Sequence, residues 1–256
     1  MFGPWHRHFS HYRDSYHANS TFPIVSIPDV LTSPITLSPE AWDDPHRWTH
    51  VSHYIESKFV RPLTYSEYDM FYSPSFIHSI CRITNHLQLY PDITASRIEH
   101  FKPDGYSAIH LDKNYNPVTG FHYKIKVMYI IDTDASNDGS GSDPDSAQDY
   151  MEIWDPHMTQ CHGQIPLKKN HMIILNLNHD LHHGIYSISH NIDIATFYYG
   201  IINDLPPSPS SRSRTRIRPQ FVPYGQNETH GNSILELFQL YNQQDIQQED
   251  VIRLLR

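Results

Sequence analysis

Between Thr94 and Ile201 the chain breaks into short runs of β-branched and aromatic residues, and this stretch limits the possible folds more than any other. The runs are Thr94–Phe101, Tyr106–Leu111, Phe121–Ile131, Asp149–Trp154, His171–Leu177, Gly184–Ile188 and Ile192–Ile201. Turn-forming residues separate them, and no helical repeat long enough for a crossover lies between them. A parallel sheet with crossover helices is therefore excluded. The pattern predicts a mainly β fold of sandwich or jelly-roll type. The connection Asp132–Ser146, rich in Asp, Ser and Gly, reads as a polar surface loop.

The flanks are different. Phe22-Pro23-Ile24-Val25-Ser26-Ile27-Pro28 predicts an edge strand, because proline cannot serve a central ladder. Asp44-Pro45 looks like a cap and first-turn proline, and Trp48, Val51, Ile55 and Phe59 follow at spacings of three and four, which predicts a helix. Ser73-Pro74 opens a second, with Phe76, Ile77, Ile80, Ile83 and Leu87 on its apolar side. Residues 1–21 read as a loose arm and 22–202 as one β domain with N-terminal helices. Residues 203–223, with Arg212, Arg214, Arg216 and Arg218, read as a Pro/Ser/Arg linker, and 224–256 as a helical segment.

Composition removes several functions. A formal net charge of -9 argues against whole-protein binding to nucleic acid or acidic membranes. Cys81 and Cys161 are the two cysteines, too few for a disulfide framework or a thiolate zinc site, and they fit a reducing compartment. No stretch is apolar enough to span a bilayer, and the first residues lack the apolar core of a signal peptide, so the expected location is the cytoplasm.

The candidate chemistry lies in His110-Leu111-Asp112. Residues two apart on an extended chain project to one side, so an imidazole nitrogen and a carboxylate oxygen can hold one ion together. A third donor is available from Asn178-His179-Asp180-Leu181-His182-His183-Gly184-Ile185. Neighbours on a strand face opposite sides, so only one of His182 and His183 can join, and His183 is the candidate. Two histidines and one carboxylate on one face of a metal leave its other positions open, as in non-haem Fe(II) enzymes.

The ordered series Phe101…Gly105-Tyr106…His110-Leu111-Asp112, Val127-Met128-Tyr129-Ile130-Ile131-Asp132, Tyr150-Met151-Glu152-Ile153-Trp154, Ile165–Leu175, His183-Gly184-Ile185 and Ala195-Thr196-Phe197-Tyr198-Tyr199-Gly200 resembles the prolyl-hydroxylase-type 2-oxoglutarate and Fe(II)-dependent dioxygenases. The resemblance covers residues from about 94 to 201. It implies a double-stranded β-helix, a jelly-roll variant related to the cupins, and an enzyme that hydroxylates a C–H bond of a prolyl or other protein residue with 2-oxoglutarate and molecular oxygen. His110, Asp112 and His183 would then be the iron ligands, and Tyr129 would hydrogen-bond the far carboxylate of 2-oxoglutarate. If Tyr129 faces inward, Val127 and Ile125 do too, and Lys124 and Lys126 face out.

One departure bears on the cosubstrate. The family places an arginine or lysine nine or ten residues beyond the last histidine ligand to pair with that carboxylate. Here Asn191, Ile192 and Asp193 stand in that region, and no arginine or lysine lies between His183 and Gly200. Lys124, Lys126, Arg97 and His122 are the candidate substitutes, with Lys124 and Asn191 taken as cosubstrate contacts beside Tyr129. Two alternatives stay open: a cupin-like metal enzyme that does not use 2-oxoglutarate, and a binding or scaffold protein on an altered oxygenase fold. The substrate itself is unassigned, although the loops Lys113–Gly120 and Asp132–Gln148 are expected to border the pocket mouth.

Overall fold

The computed structural model describes residues 2–18, 21–35, 49–53, 56–63, 68–112, 114–116, 120–133, 149–157, 159–177, 181–185 and 188–202. The linker, the arginine run and the C-terminal helical segment expected beyond residue 202 lie outside the described residues, as do residues 134–148 of the polar loop and, within Lys113–Gly120, Lys113 and residues 117–119.

The strands are β1 (Ile24–Ile27), β2 (Thr49–His53), β3 (Glu56–Pro62), β4 (Tyr90–Pro91), β5 (Arg97–Phe101), β6 (Tyr106–His110), β7 (Tyr115–Asn116), β8 (Phe121–Thr133), β9 (Tyr150–Trp154), β10 (Cys161–Pro166), β11 (Met172–Asn176), β12 (His182–Ile185) and β13 (Ile192–Ile202). The helices are α1 (Phe9–His17) and α2 (Pro74–Thr84). Hydrogen-bonded neighbours run β1-β11-β8-β13-β5-β3-β6-β12-β9-β10, and every pairing is antiparallel. The sheet curls into a nearly closed barrel, the double-stranded β-helix that the family resemblance implies and a form of the jelly roll expected from the succession of short strands.

Its long strands are buried on both faces, and alternation divides their side chains between two cores. Ile125, Val127, Tyr129 and Ile131 of β8, Met172 and Ile174 of β11 and Phe197 and Tyr199 of β13 face the outer core. Met128 and Ile130, Ile173 and Leu175, and Ile192 and Ile194 fill the barrel interior with Met151, Ile153 and Phe101.

Helix α2 covers the outer core as predicted. The Ser73 hydroxyl accepts from the Phe76 amide, Pro74 occupies the first turn, and Asn85 ends the helix in the left-handed region at φ 58°. Phe76, Ile80 and Ile83 are buried, whereas Leu87 lies beyond the helix and is fully exposed.

Two expectations are corrected. Val51 and Phe59 belong to no helix: Thr49–His53 and Glu56–Pro62 form a β-hairpin, and β3 joins the barrel between β5 and β6. The spacing of four from Val51 through Ile55 to Phe59 is also a multiple of the strand period of two, and the β-branched residues around them favour the strand. Asp44, Pro45, Trp48 and Ile55 lie outside the described residues.

The N-terminal arm is not loose over residues 2–17. Phe2, Trp5, Phe9, Tyr12 and Tyr16 recur at spacings of three and four and pack on the outer core, where Trp5 and Tyr16 are buried. The Trp5 indole donates to the Val30 carbonyl at 2.9 Å, and Phe2 bridges to Leu31.

Candidate metal and cosubstrate site

His110 ends β6, Asp112 follows two residues later, and β12 runs antiparallel to β6 with His183 directly opposite His110. This pairing brings the three side chains together, with one donor atom from each inside 4.8 Å of the others. Asp112 Oδ1 lies 3.4 Å from His110 Nε2, and Asp112 Oδ2 lies 3.3 Å from His183 Nε2. Donors bound to one ion at about 2.1 Å and at right angles sit about 3.0 Å apart, so these separations suit a common metal.

Backbone carbonyls set both imidazoles for that role. A carbonyl oxygen can only accept, so His110 Nδ1 donates to Ala108 O at 2.8 Å and His183 Nδ1 to Leu181 O at 3.3 Å. Each ring therefore presents the bare lone pair of Nε2 toward Asp112. Adjacent His182 is buried on the other side of β12 and pairs in register with Trp154, as strand alternation requires. Gly184 is what lets β12 approach: a Cβ there would lie 2.8 Å from Ile109 N and from Ser107 O. The β6–β12 register slips at that point, a bulge that aims a side chain.

Lys126 was not expected here if Tyr129 faced the site. It is buried on the interior face of β8, and its ammonium donates to Asp112 Oδ2 at 2.8 Å and His183 Nε2 at 3.0 Å. Burial alone would raise the Asp112 carboxyl, but Lys126 and the two histidines hold it well below the usual carboxylate range. Burial, then Lys126, pushes His183 down to about 4, so this ring is neutral at physiological pH.

A small pocket opens beside the triad, lined in part by Lys58, Arg97, Glu99, Lys126, Met128 and Ile185. Glu99 is its hub: Oε1 accepts from Lys58 Nζ at 2.7 Å and Arg97 Nε at 3.0 Å, and Oε2 accepts from the Thr196 hydroxyl at 3.0 Å. Burial opposes ionisation of Glu99, but Arg97, Lys58 and Lys126 overcome it and hold the carboxyl far below its ordinary value. Lys58 also reaches the half-buried Glu56 at 3.0 Å. The free volume is about 20 Å³, room for about one water between the long cationic side chains.

The other expected cosubstrate contacts lie elsewhere. Tyr129 points into the outer core, where its hydroxyl donates to Asn170 Oδ1 at 3.1 Å and its ring packs on Phe71. Both faces of β8 are buried, so hydrophobicity does not reveal which one meets the pocket. Lys124, like Asn191 and His122, does not line the pocket. At the position of the missing cation, Asp193 instead accepts from or pairs with buried His100 Nδ1 at 2.7 Å.

Of the candidate cations, Arg97 and Lys126 do line the pocket, and sequence reasoning missed Lys58 and Glu99. Their signal was available: Glu56 and Lys58, like Arg97 and Glu99, alternate along strands and so share a face.

No protein-family model matches this sequence, and no curated protein matches it. Solved structures do. An oxidoreductase of the 2OG-Fe(II) oxygenase family from Burkholderia pseudomallei is 11% identical, with a TM-score of 0.50 over 75% of this chain and 90% of that one. A Pseudomonas putida prolyl-4-hydroxylase is 8% identical, with a TM-score of 0.50 over 74% of this chain and 98% of its own. A Trichoplax adhaerens prolyl hydroxylase, solved with a hypoxia inducible factor oxygen degradation domain peptide, is 10% identical, with a TM-score of 0.52 over 77% and 94%. The chain thus has the double-stranded β-helix fold of the 2-oxoglutarate and Fe(II) oxygenases, and it carries a His-x-Asp…His triad within that fold.

Proposed function

We propose that the protein is an Fe(II)- and 2-oxoglutarate-dependent dioxygenase that hydroxylates a C–H bond, with a prolyl or other protein residue as the substrate class. The observation that carries this reading is the triad: His110, Asp112 and His183 converge with both histidine tautomers set by backbone carbonyls. That donor set suits Fe(II), which would supply oxygen activation coupled to oxidative decarboxylation of 2-oxoglutarate. The chain's own residues would hold the ion through one carboxylate and two imidazoles. They also surround the neighbouring pocket with Lys58, Arg97 and Lys126, a suitable lining for a dianion. The peptide bound to the Trichoplax neighbour supports a protein substrate.

A second reading has its own support. Lys126 already bridges Asp112 and His183, and a lysine that permanently replaced the metal would leave a binding protein on the oxygenase fold. Conversion of 2-oxoglutarate to succinate in the presence of Fe(II) and oxygen separates the two. The enzyme reading expects turnover in the wild type and its loss in His110→Ala and Asp112→Ala. Unchanged turnover in both variants contradicts the assigned ligands, and absence of turnover in the wild type favours the binding protein.

A further inference from the structure

We propose that Lys126 competes with the metal for Asp112 and His183 and, once displaced by it, becomes a binding group for the dianionic cosubstrate, so that the two ligands bind cooperatively. This rests on the oxygenase reading above and assigns a residue that links its two ligands.

The argument begins with lone pairs. In its neutral form His183 Nε2 has one, which now accepts from the Lys126 ammonium at 3.0 Å, while Nδ1–H is directed at Leu181 O. One lone pair cannot serve both an N–H donor and a metal ion. Metal binding therefore breaks the Lys126–His183 hydrogen bond. It also sets a divalent charge against an ammonium that lies 2.8 Å from Asp112 Oδ2, and at such range two like charges repel strongly in a buried site.

Lys126 cannot simply withdraw to water, because its side chain is only 4% exposed. Glu99 offers little in exchange, since Lys58, Arg97 and Thr196 already take three of the about four acceptor sites of its carboxylate. The nearby charges show what is needed. Lys58, Arg97 and Lys126 face Glu99 and Asp112, three cations against two carboxylates, with Glu56 at the edge. A divalent metal adds two positive charges, and a dicarboxylate removes two. Either ligand alone upsets the balance, whereas both together restore it. The ammonium freed by the metal is positioned to meet the incoming carboxylate beside Arg97, which replaces the cation absent from β13.

The test is calorimetric titration with Co(II), with and without 2-oxoglutarate, on the wild type, Lys126→Met and Lys126→Gln. Methionine keeps much of the volume, and glutamine keeps a donor without the charge. Both variants are expected to bind Co(II) alone about tenfold or more tighter than the wild type, within the range that groups around metal ligands exert. In both, the enhancement of Co(II) binding by 2-oxoglutarate should shrink by a similar factor. Melting curves guard against a folding artefact: removing Lys126 leaves Asp112 without its cation, and Co(II) should restore stability.

Unchanged or weaker Co(II) affinity in the variants, undiminished coupling, or a variant that stays unfolded at saturating Co(II) would each overturn the proposal while leaving the oxygenase reading intact. A wild type that binds neither Co(II) nor 2-oxoglutarate overturns both.

Discussion

His183 and His110 face each other as backbone partners across β12 and β6, and their rings lie 4.9 Å apart, tilted by 46°. That juxtaposition depends on Gly184, where the two backbones meet too closely for a side chain. Gly184→Ala places a methyl 2.8 Å from backbone atoms on β6, which cannot yield as a flexible side chain would. The expected cost is about 1–3 kcal/mol of stability, with metal affinity reduced about tenfold or more as His183 moves away from Asp112. Denaturant unfolding and metal titration of the same variant check both effects.

Tyr129 gives a prediction of the opposite kind. Its hydroxyl donates to Asn170 in the outer core, on the far side of β8 from the pocket. Tyr129→Phe should cost about 1 kcal/mol for the lost hydrogen bond and leave affinity for 2-oxoglutarate unchanged. A large loss of cosubstrate affinity at unchanged stability would show that Tyr129 reaches the pocket after all.

Glu99 makes stability depend on pH. Its carboxyl is depressed in the folded protein, so the unfolded chain takes up the proton more readily. The stabilisation is fully present above the ordinary glutamate value of 4.5 and is lost as pH falls below it toward the depressed folded value. Glu99→Gln removes this dependence and leaves Lys58 and Arg97 without their shared carboxylate, at a cost of about 3–5 kcal/mol near neutral pH. Melting temperatures of wild type and variant should therefore begin to converge only as the pH falls below 4.5, and should go on converging toward the strongly depressed folded value of Glu99. Parallel curves would contradict the assigned role.

These outcomes follow from features that differ in how legible they were. Strand alternation and the spacing of His110 and Asp112 describe local geometry, so a jelly-roll-type β fold and two of the triad residues could be read directly. Ser73-Pro74 marked the start of α2 for the same local reason. The hairpin Thr49–Pro62 was misread because Val51, Ile55 and Phe59 lie four apart, which suits both periods. The aromatic repeat from Phe2 to Tyr16 was obscured by the polar residues and histidines around it.

The face of β8 that meets the pocket could not be read, because Lys126, Met128 and Ile130 alternate with the equally buried Val127, Tyr129 and Ile131. The Lys58–Glu99–Arg97 cluster depends on β3 pairing beside β5, a relation between segments that neither strand encodes alone.

The central claim is that His110, Asp112 and His183 hold a metal to which 2-oxoglutarate can bind. Anaerobic titration with Fe(II) and 2-oxoglutarate tests it most directly, because the metal-to-ligand charge-transfer absorption arises only when the cosubstrate is bound to the iron. The account predicts that absorption in the wild type when both are present, its absence with either alone, and its loss in Asp112→Ala. A wild type that shows no such absorption at saturating concentrations of both, or an Asp112→Ala variant that retains it in full, would contradict the account.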